Sequence, residues 1–204
     1  MVRGLFPRAE QELVLAAVER SVLFVTRDTI ALLLRRPGFD STAWSVANLY
    51  LESLDAELLG EVAPSIVGMS VGTTCYVSPA YFDDDDPFAD FVVHEVAHIF
   101  HNCKRDVVGL RRTRTREWLL DIEFSKRETF AYSCEAYARI LERSQSARER
   151  RELAIEYCRT QRISAGCDDP AEVAEIVAEA AAARNGWKVI LRRCAPVPRA
   201  TVLS

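Results

Sequence analysis

Only one long stretch of this chain has the residue usage of a β-sheet. Residues 62–81, VAPSIVGMSVGTTCYVSPAY, exchange helix formers for Val, Ile, Thr, Tyr and Gly. Gly68 and Gly72 punctuate the stretch as turns or bulges do, so it reads as one hairpin or two short strands. A sheet that small cannot bury a core by itself. The remaining apolar surface must come from helices, and the segments on both sides have helical apolar spacing. The expected class is α+β: a mostly helical domain with a small β-hairpin or sheet ahead of a histidine-bearing helix. The 204 residues support one substantial core. We expect a single domain over 1–204, with a helical N-terminal part (1–62), a central part (63–142) and a helical C-terminal part (143–204).

Residues 8–20 place Leu13, Ala16, Ala17 and Val18 among charges, as an amphipathic helix does. SVLFV (21–25) has the length of a short strand. Residues 26–36 read as a helix ended by Pro37-Gly38. Ser41 can cap a helix reaching residue 59, with Trp44, Ala47, Leu51, Leu54 and Leu58 inward and Gly60 as its stop. The acid run Asp83–Asp86 followed by Pro87 predicts a helix from 87 to 102. That run reads as a capped loop and not as a calcium site, whose ligands are spaced. A helical stretch is expected over 116–142 with a break near Ser125, and another over 146–160. Asp168-Asp169-Pro170 opens a further helix that Asn185-Gly186 should end, and 187–194 (WKVILRRC) reads as a final strand.

Charge and composition narrow the class of function. The formal net charge is -4, which argues against a general nucleic-acid binder, a class that is usually basic. The basic run at 104–116 reads as a solvated loop, with too few interleaved aromatics for single-stranded nucleic acid. No apolar run approaches the roughly 20 residues of a membrane span. Glu10, Glu12 and Glu19 interrupt any signal-like core, so a cytoplasmic setting and no membrane partner are expected. The six cysteines include no Cys-x-x-Cys pair, and free thiols are the expectation.

All three histidines fall within one short segment, His94-Glu95-Val96-Ala97-His98-Ile99-Phe100-His101. Phe88, Phe91, Val92, Val96 and Ile99 make the segment helical on independent grounds. On a helix, His94 and His98 stand one turn apart on the same face and can offer two neutral nitrogens to one zinc ion. Glu95, beside the first histidine, is placed to act as general base. His101 lies a further turn along and is expected to face substrate or support the site. The third ligand must then be an acid or a cysteine from elsewhere. Glu128 has the best local setting, ahead of Glu135 and Glu117. It begins a polar row of Glu128, Tyr132, Glu135 and Arg139, and the small Ala131 would let its helix approach the histidine helix.

Here the sequence resembles the glutamate-type zincin metallopeptidases. His94 and His98 match their two histidine ligands, Glu95 matches their catalytic base, and Glu128-Thr129-Phe130-Ala131 resembles the segment carrying their third ligand. The resemblance covers residues 66–139 and implies a zincin-like catalytic core with one Zn2+. It also implies peptide or protein substrates, cleaved by metal-activated water and held along an edge strand within Ile66–Ser78. Tyr132, His101 and Arg139 are candidate donors to the negatively charged intermediate, with Tyr76 and Tyr81 as outsiders. Zinc hydrolysis of a non-peptide amide, a non-catalytic interaction protein with a structural metal, and an effector peptidase acting on one protein are the alternatives. Glu95 separates the catalytic readings from the structural one, because a purely structural site has no use for that carboxylate.

Overall fold

The computed structural model describes residues 1–35, 40–60, 68–83, 85–160 and 169–197. Pro37-Gly38, residues 62–67 of the sheet segment, Asp84, Cys167 and Asp168 lie outside the described residues. The chain opens with a single helical turn, α1 (Val2–Leu5), then α2 (Arg8–Ser21), which buries Val14, Ala17 and Ser21 along one stripe. It passes directly into β1 (Val22–Phe24). Two helices follow, α3 (Ile30–Leu33) and α4 (Asp40–Glu52), then the hairpin β2 (Gly68–Val71) and β3 (Thr74–Val77). The hairpin turns at Gly72, where φ is +61°, a conformation that glycine adopts without cost.

The sheet has the order β1-β3-β2, with β1 parallel and β2 antiparallel to β3. The central strand is covered on both faces, and its alternation shows how. Cys75 and Val77 join the main core with Val96 and Ala97, whereas Tyr76 packs with Val25, Leu33, Val46 and Leu49 under α3 and α4. The helix against the first face is α5 (Phe91–Asn102), which carries all three histidines. It packs on α6 (Arg127–Arg143). The helices α7 (Ala147–Thr160), α8 (Pro170–Ala182) and α9 (Gly186–Cys194) close the other side of α6. The α+β class and the predominance of helix are as the sequence predicts. Among the described residues, no helix is long and apolar enough to cross a membrane. Cys75, Cys103, Cys134, Cys158 and Cys194 are free thiols.

Several expected boundaries shift, each for a visible reason. The helix expected to reach 59 ends at Glu52, because Asp55 takes the left-handed conformation (φ +52°) and the Ala56 N–H reaches back to the Leu51 carbonyl at 3.0 Å. The helix expected at Pro87 begins at Phe91, because Asp90 accepts the Val93 N–H at 3.0 Å. Residues 116–123 are not helical. They hook onto the end of α5, with the Leu119 and Leu120 N–H groups donating to the Cys103 and Phe100 carbonyls, and they bury Leu119, Leu120 and Ile122. A 3-10 turn at Phe124–Lys126 then leads into α6, at the break expected near Ser125. Residues 187–194 form a helix and not a strand. Asn185 caps it by accepting the Lys188 N–H, and Trp187, Ile190 and Cys194 fall at helical spacing on its buried face. The same Asn185-Gly186 pair therefore starts α9, while α8 stops at Ala182.

The basic run is largely neutralised from within the chain. Arg105 is 4% exposed and forks onto Glu10 of α2 at 2.7 and 3.3 Å, and Arg116 reaches the same carboxylate at 3.3 Å. Lys104 and Arg112 pair with Glu117 at 2.8 and 2.9 Å. Hydrogen bonding from Arg105 leads the causes that hold the Glu10 carboxyl below the usual glutamate range. A depressed carboxylate pKa contributes stability that is complete above the unfolded value and lost as pH falls through the folded one. Glu10→Ala leaves a buried guanidinium uncompensated and is expected to cost about 3 kcal/mol in urea unfolding at neutral pH. A loss below about 1 kcal/mol, the value of an exposed pair, would show that Arg105 rehydrates. Acid titration of wild-type stability should show a step that Glu10→Gln lacks.

Candidate metal centre

The helix α5 is held from its first turn. Asp90 caps it, and the Asp90 N–H donates to Glu135 Oε1 on α6 at 2.7 Å. The other oxygen of Glu135 lies 3.0 Å from His94 Nδ1. A carboxylate can only accept, so Nδ1 carries the proton and the His94 Nε2 lone pair points away from Glu135. His98 is oriented by a longer chain. Its Nδ1 is 3.0 Å from His101 Nε2, and His101 Nδ1 is 3.1 Å from the Asn102 side-chain oxygen. With that oxygen accepting, the proton order runs back along the chain and leaves the His98 Nε2 lone pair free. Burial is the first cause pulling His101 down, to about 3, which keeps it neutral and able to accept.

The two free lone pairs face each other across 3.1 Å, and the Glu128 carboxylate approaches each of them at 3.5 Å. His94, His98 and Glu128 thus bring three acceptor atoms within 4.8 Å of one another. Ligands at about 2.0–2.1 Å in a tetrahedron stand about 3.3 Å apart; here the two nitrogens stand 3.1 Å apart, and each lies 3.5 Å from a different Glu128 oxygen. Acceptors gathered this closely repel unless a cation or a proton sits among them. Burial pulls His94 down, but Glu128 and Glu135 together outweigh it and hold the imidazole at about 9. Burial likewise raises Glu128, yet the two histidines keep its carboxyl well below the usual range. The donor set fits a divalent ion of the zinc type, with a neutral nitrogen from each histidine and one carboxylate oxygen.

Glu95 is buried beside this group, and its carboxylate accepts a hydrogen bond from Ser70 Oγ on β2. Gly68 on the same strand packs beside it, at a distance where even a Cβ would make ordinary contact with Glu95 Cγ (3.4 Å). The three histidines, Glu95 and Glu128 all line an open cleft of about 580 Å³, whose walls also include Ser70, Asn102 and Arg127.

Three of the four residues in the polar row expected on α6 converge on His94, and Arg139 does not. Glu128 meets its Nε2, Glu135 its Nδ1, and the Tyr132 ring stands edge-on at 4.5 Å between centroids. Glu135, an alternative third ligand in sequence, thus stands behind the imidazole as its hydrogen-bond partner. Glu117, the other alternative, is occupied with Lys104 and Arg112. Arg139 pairs with Glu142 and lines a different pocket with Tyr81, and Tyr76 is buried under α3 and α4. Sequence reasoning missed Ser70 and Arg127. Nothing in a Gly-Met-Ser-Val strand marks its serine as the partner of a distant glutamate. No protein-family model, curated protein or solved structure matches this chain.

Glutamine at position 135 keeps the shape of the side chain but offers one acceptor for two donors. Glu135→Gln should weaken zinc binding by roughly 10- to 100-fold, Glu128→Ala by more, and Glu117→Ala not at all, in competition titrations against a chelating dye. Loss of zinc in Glu117→Ala, or full affinity in Glu135→Gln, would contradict the arrangement. A raised histidine pKa stabilises the fold fully below the unfolded value and loses that contribution as pH rises through about 9. Zinc must displace the same proton, so its affinity should climb with pH up to that value.

Proposed function

We propose that this protein is a zinc-dependent hydrolase that cleaves peptide bonds. The observation that carries the reading is the convergence of His94, His98 and Glu128 in the cleft that also holds the Glu95 carboxylate. A structural metal site would be closed by its ligands, whereas this one opens onto a cleft. Bound zinc would supply Lewis acidity toward a carbonyl oxygen and acidify a water.

The protein's own residues supply the rest. Glu95 takes the proton of the attacking water and returns it to the leaving amine, and Ser70 holds that carboxylate in place. Glu135 and His101 hold the other ring nitrogens of His94 and His98, which turns both Nε2 atoms toward the site. Tyr132 packs on the His94 ring and His101 lines the cleft, so both steady the histidines. The edge strand β2, which contributes Ser70 to the cleft, would pair with the main chain of an extended substrate.

The test is zinc content by elemental analysis together with hydrolysis of a quenched peptide library. Wild type should carry one zinc per chain and lose turnover on chelation. Glu95→Gln should keep the zinc and lose turnover by roughly a hundred- to ten-thousand-fold. A Glu95→Gln variant that hydrolyses peptides as fast as wild type would remove the general base from this scheme. A folded chain that takes up no zinc would remove the hydrolase.

A further inference from the structure

Arg127 is the first residue of α6 and immediately precedes Glu128. Adjacent helical positions point about 100° apart. Glu128 accordingly turns to the histidines, while Arg127 lines the cleft beside it. Among the described residues, no carboxylate pairs with its guanidinium, and its Nε is buried with no hydrogen-bond partner. The guanidinium lies over the ring of Phe124, 4.7 Å from the centroid. Phe124 is 77% exposed and also lines the cleft. Four basic residues of the 104–116 loop are different, since Lys104, Arg105, Arg112 and Arg116 each have a carboxylate.

A guanidinium with unused donors is matched by a carboxylate, which it can bind in a forked pair. The ring of Phe124 limits the directions the guanidinium can take and shields one of its faces from water, which strengthens its pull on an anion. The positive end of the α6 dipole lies at the same wall and adds to that pull. Arg127 and Glu128 line the same cleft, so a group bound here shares that cleft with a bond held at the metal ligands. Resting on the metallopeptidase reading above, we infer that Arg127 and Phe124 form a subsite for a substrate carboxylate close to the scissile bond. The carboxylate comes from the end of a peptide chain or from an acidic side chain.

The test uses the zinc-loaded full chain and three succinyl hydroxamate probes of one length. The first is Ala-Ala-amide, which is neutral. The second is Ala-Ala with a free terminal carboxylate, and the third is Glu-Ala-amide with an acidic side chain. By calorimetry, at least one charged probe should bind wild type about tenfold more tightly than the neutral one, as one charge-assisted pair provides. The probe that gains identifies the source of the carboxylate. In Arg127→Gln the advantage should vanish, with zinc content and affinity for the neutral probe unchanged. Equal binding of all three by zinc-bearing wild type would overturn the subsite and leave the metal centre standing. Persistence of the preference in Arg127→Gln would also overturn it. Failure of wild type to take up zinc would overturn the metal reading and the subsite with it. The wild-type comparison alone can refute the inference, so a variant that misfolds does not protect it.

Discussion

A single buried carboxylate, that of Glu135, holds the two central helices of this protein in register. One oxygen takes the N–H of Asp90, the residue that caps α5, and the other takes Nδ1 of His94 one turn later. Glu135 is 4% exposed, so both of its bonds are made away from water, where an unmade one would be costly. The position of α5 along α6, the tautomer of His94 and the direction of its free lone pair all follow from these two contacts. Two turns back along α6, Glu128 arrives on the opposite side of the same ring. One helix thus supplies both the group that orients the imidazole and the acid that faces its free nitrogen.

The surrounding packing keeps this arrangement stiff. Ala97 of α5 and Ala131 of α6 are fully buried in the same core, and the two helices pack on each other. The central strand β3 presses Cys75 and Val77 onto α5, while β2 brings Ser70 to Glu95. The segment 116–123 ties itself to the last turn of α5 before the chain enters α6. Every chemical group in the cleft is therefore carried by an element fixed at more than one point. Such anchoring is what a preorganised site requires.

Some of this was legible in the residues and some was not. The histidine spacing and the apolar face around it identify α5 and the pairing of His94 with His98. The polar row on α6 marks the face that meets His94. Its residues could not be ranked from sequence, because Glu128 and Glu135 lie on the same face and both reach the ring. Which nitrogen each one meets depends on how far α6 is displaced along α5. Residues 116–123 misled for a related reason. Their apolar residues are compatible with a helix, but the carbonyls at the end of α5 offer hydrogen bonds to their N–H groups that a helix would forgo. In 187–194, a short apolar run does not separate strand from helix, and the Asn185 cap decides it.

What the sequence determined by itself was local: the amphipathic helices, the turn at Gly72, the cap at Asp169, and two imidazoles one turn apart. These depend on residues within a turn or two of one another, where backbone sterics and side-chain spacing leave few choices. Tertiary structure decided the rest. It brought Glu128 to the histidines from 30 residues beyond His98, set Ser70 against Glu95, and left Arg127 in the cleft wall without a carboxylate partner among the described residues. Those outcomes turn on the relative placement of separate elements. Buried area and a few buried hydrogen bonds fix that placement, and neither can be counted until the chain has closed on itself.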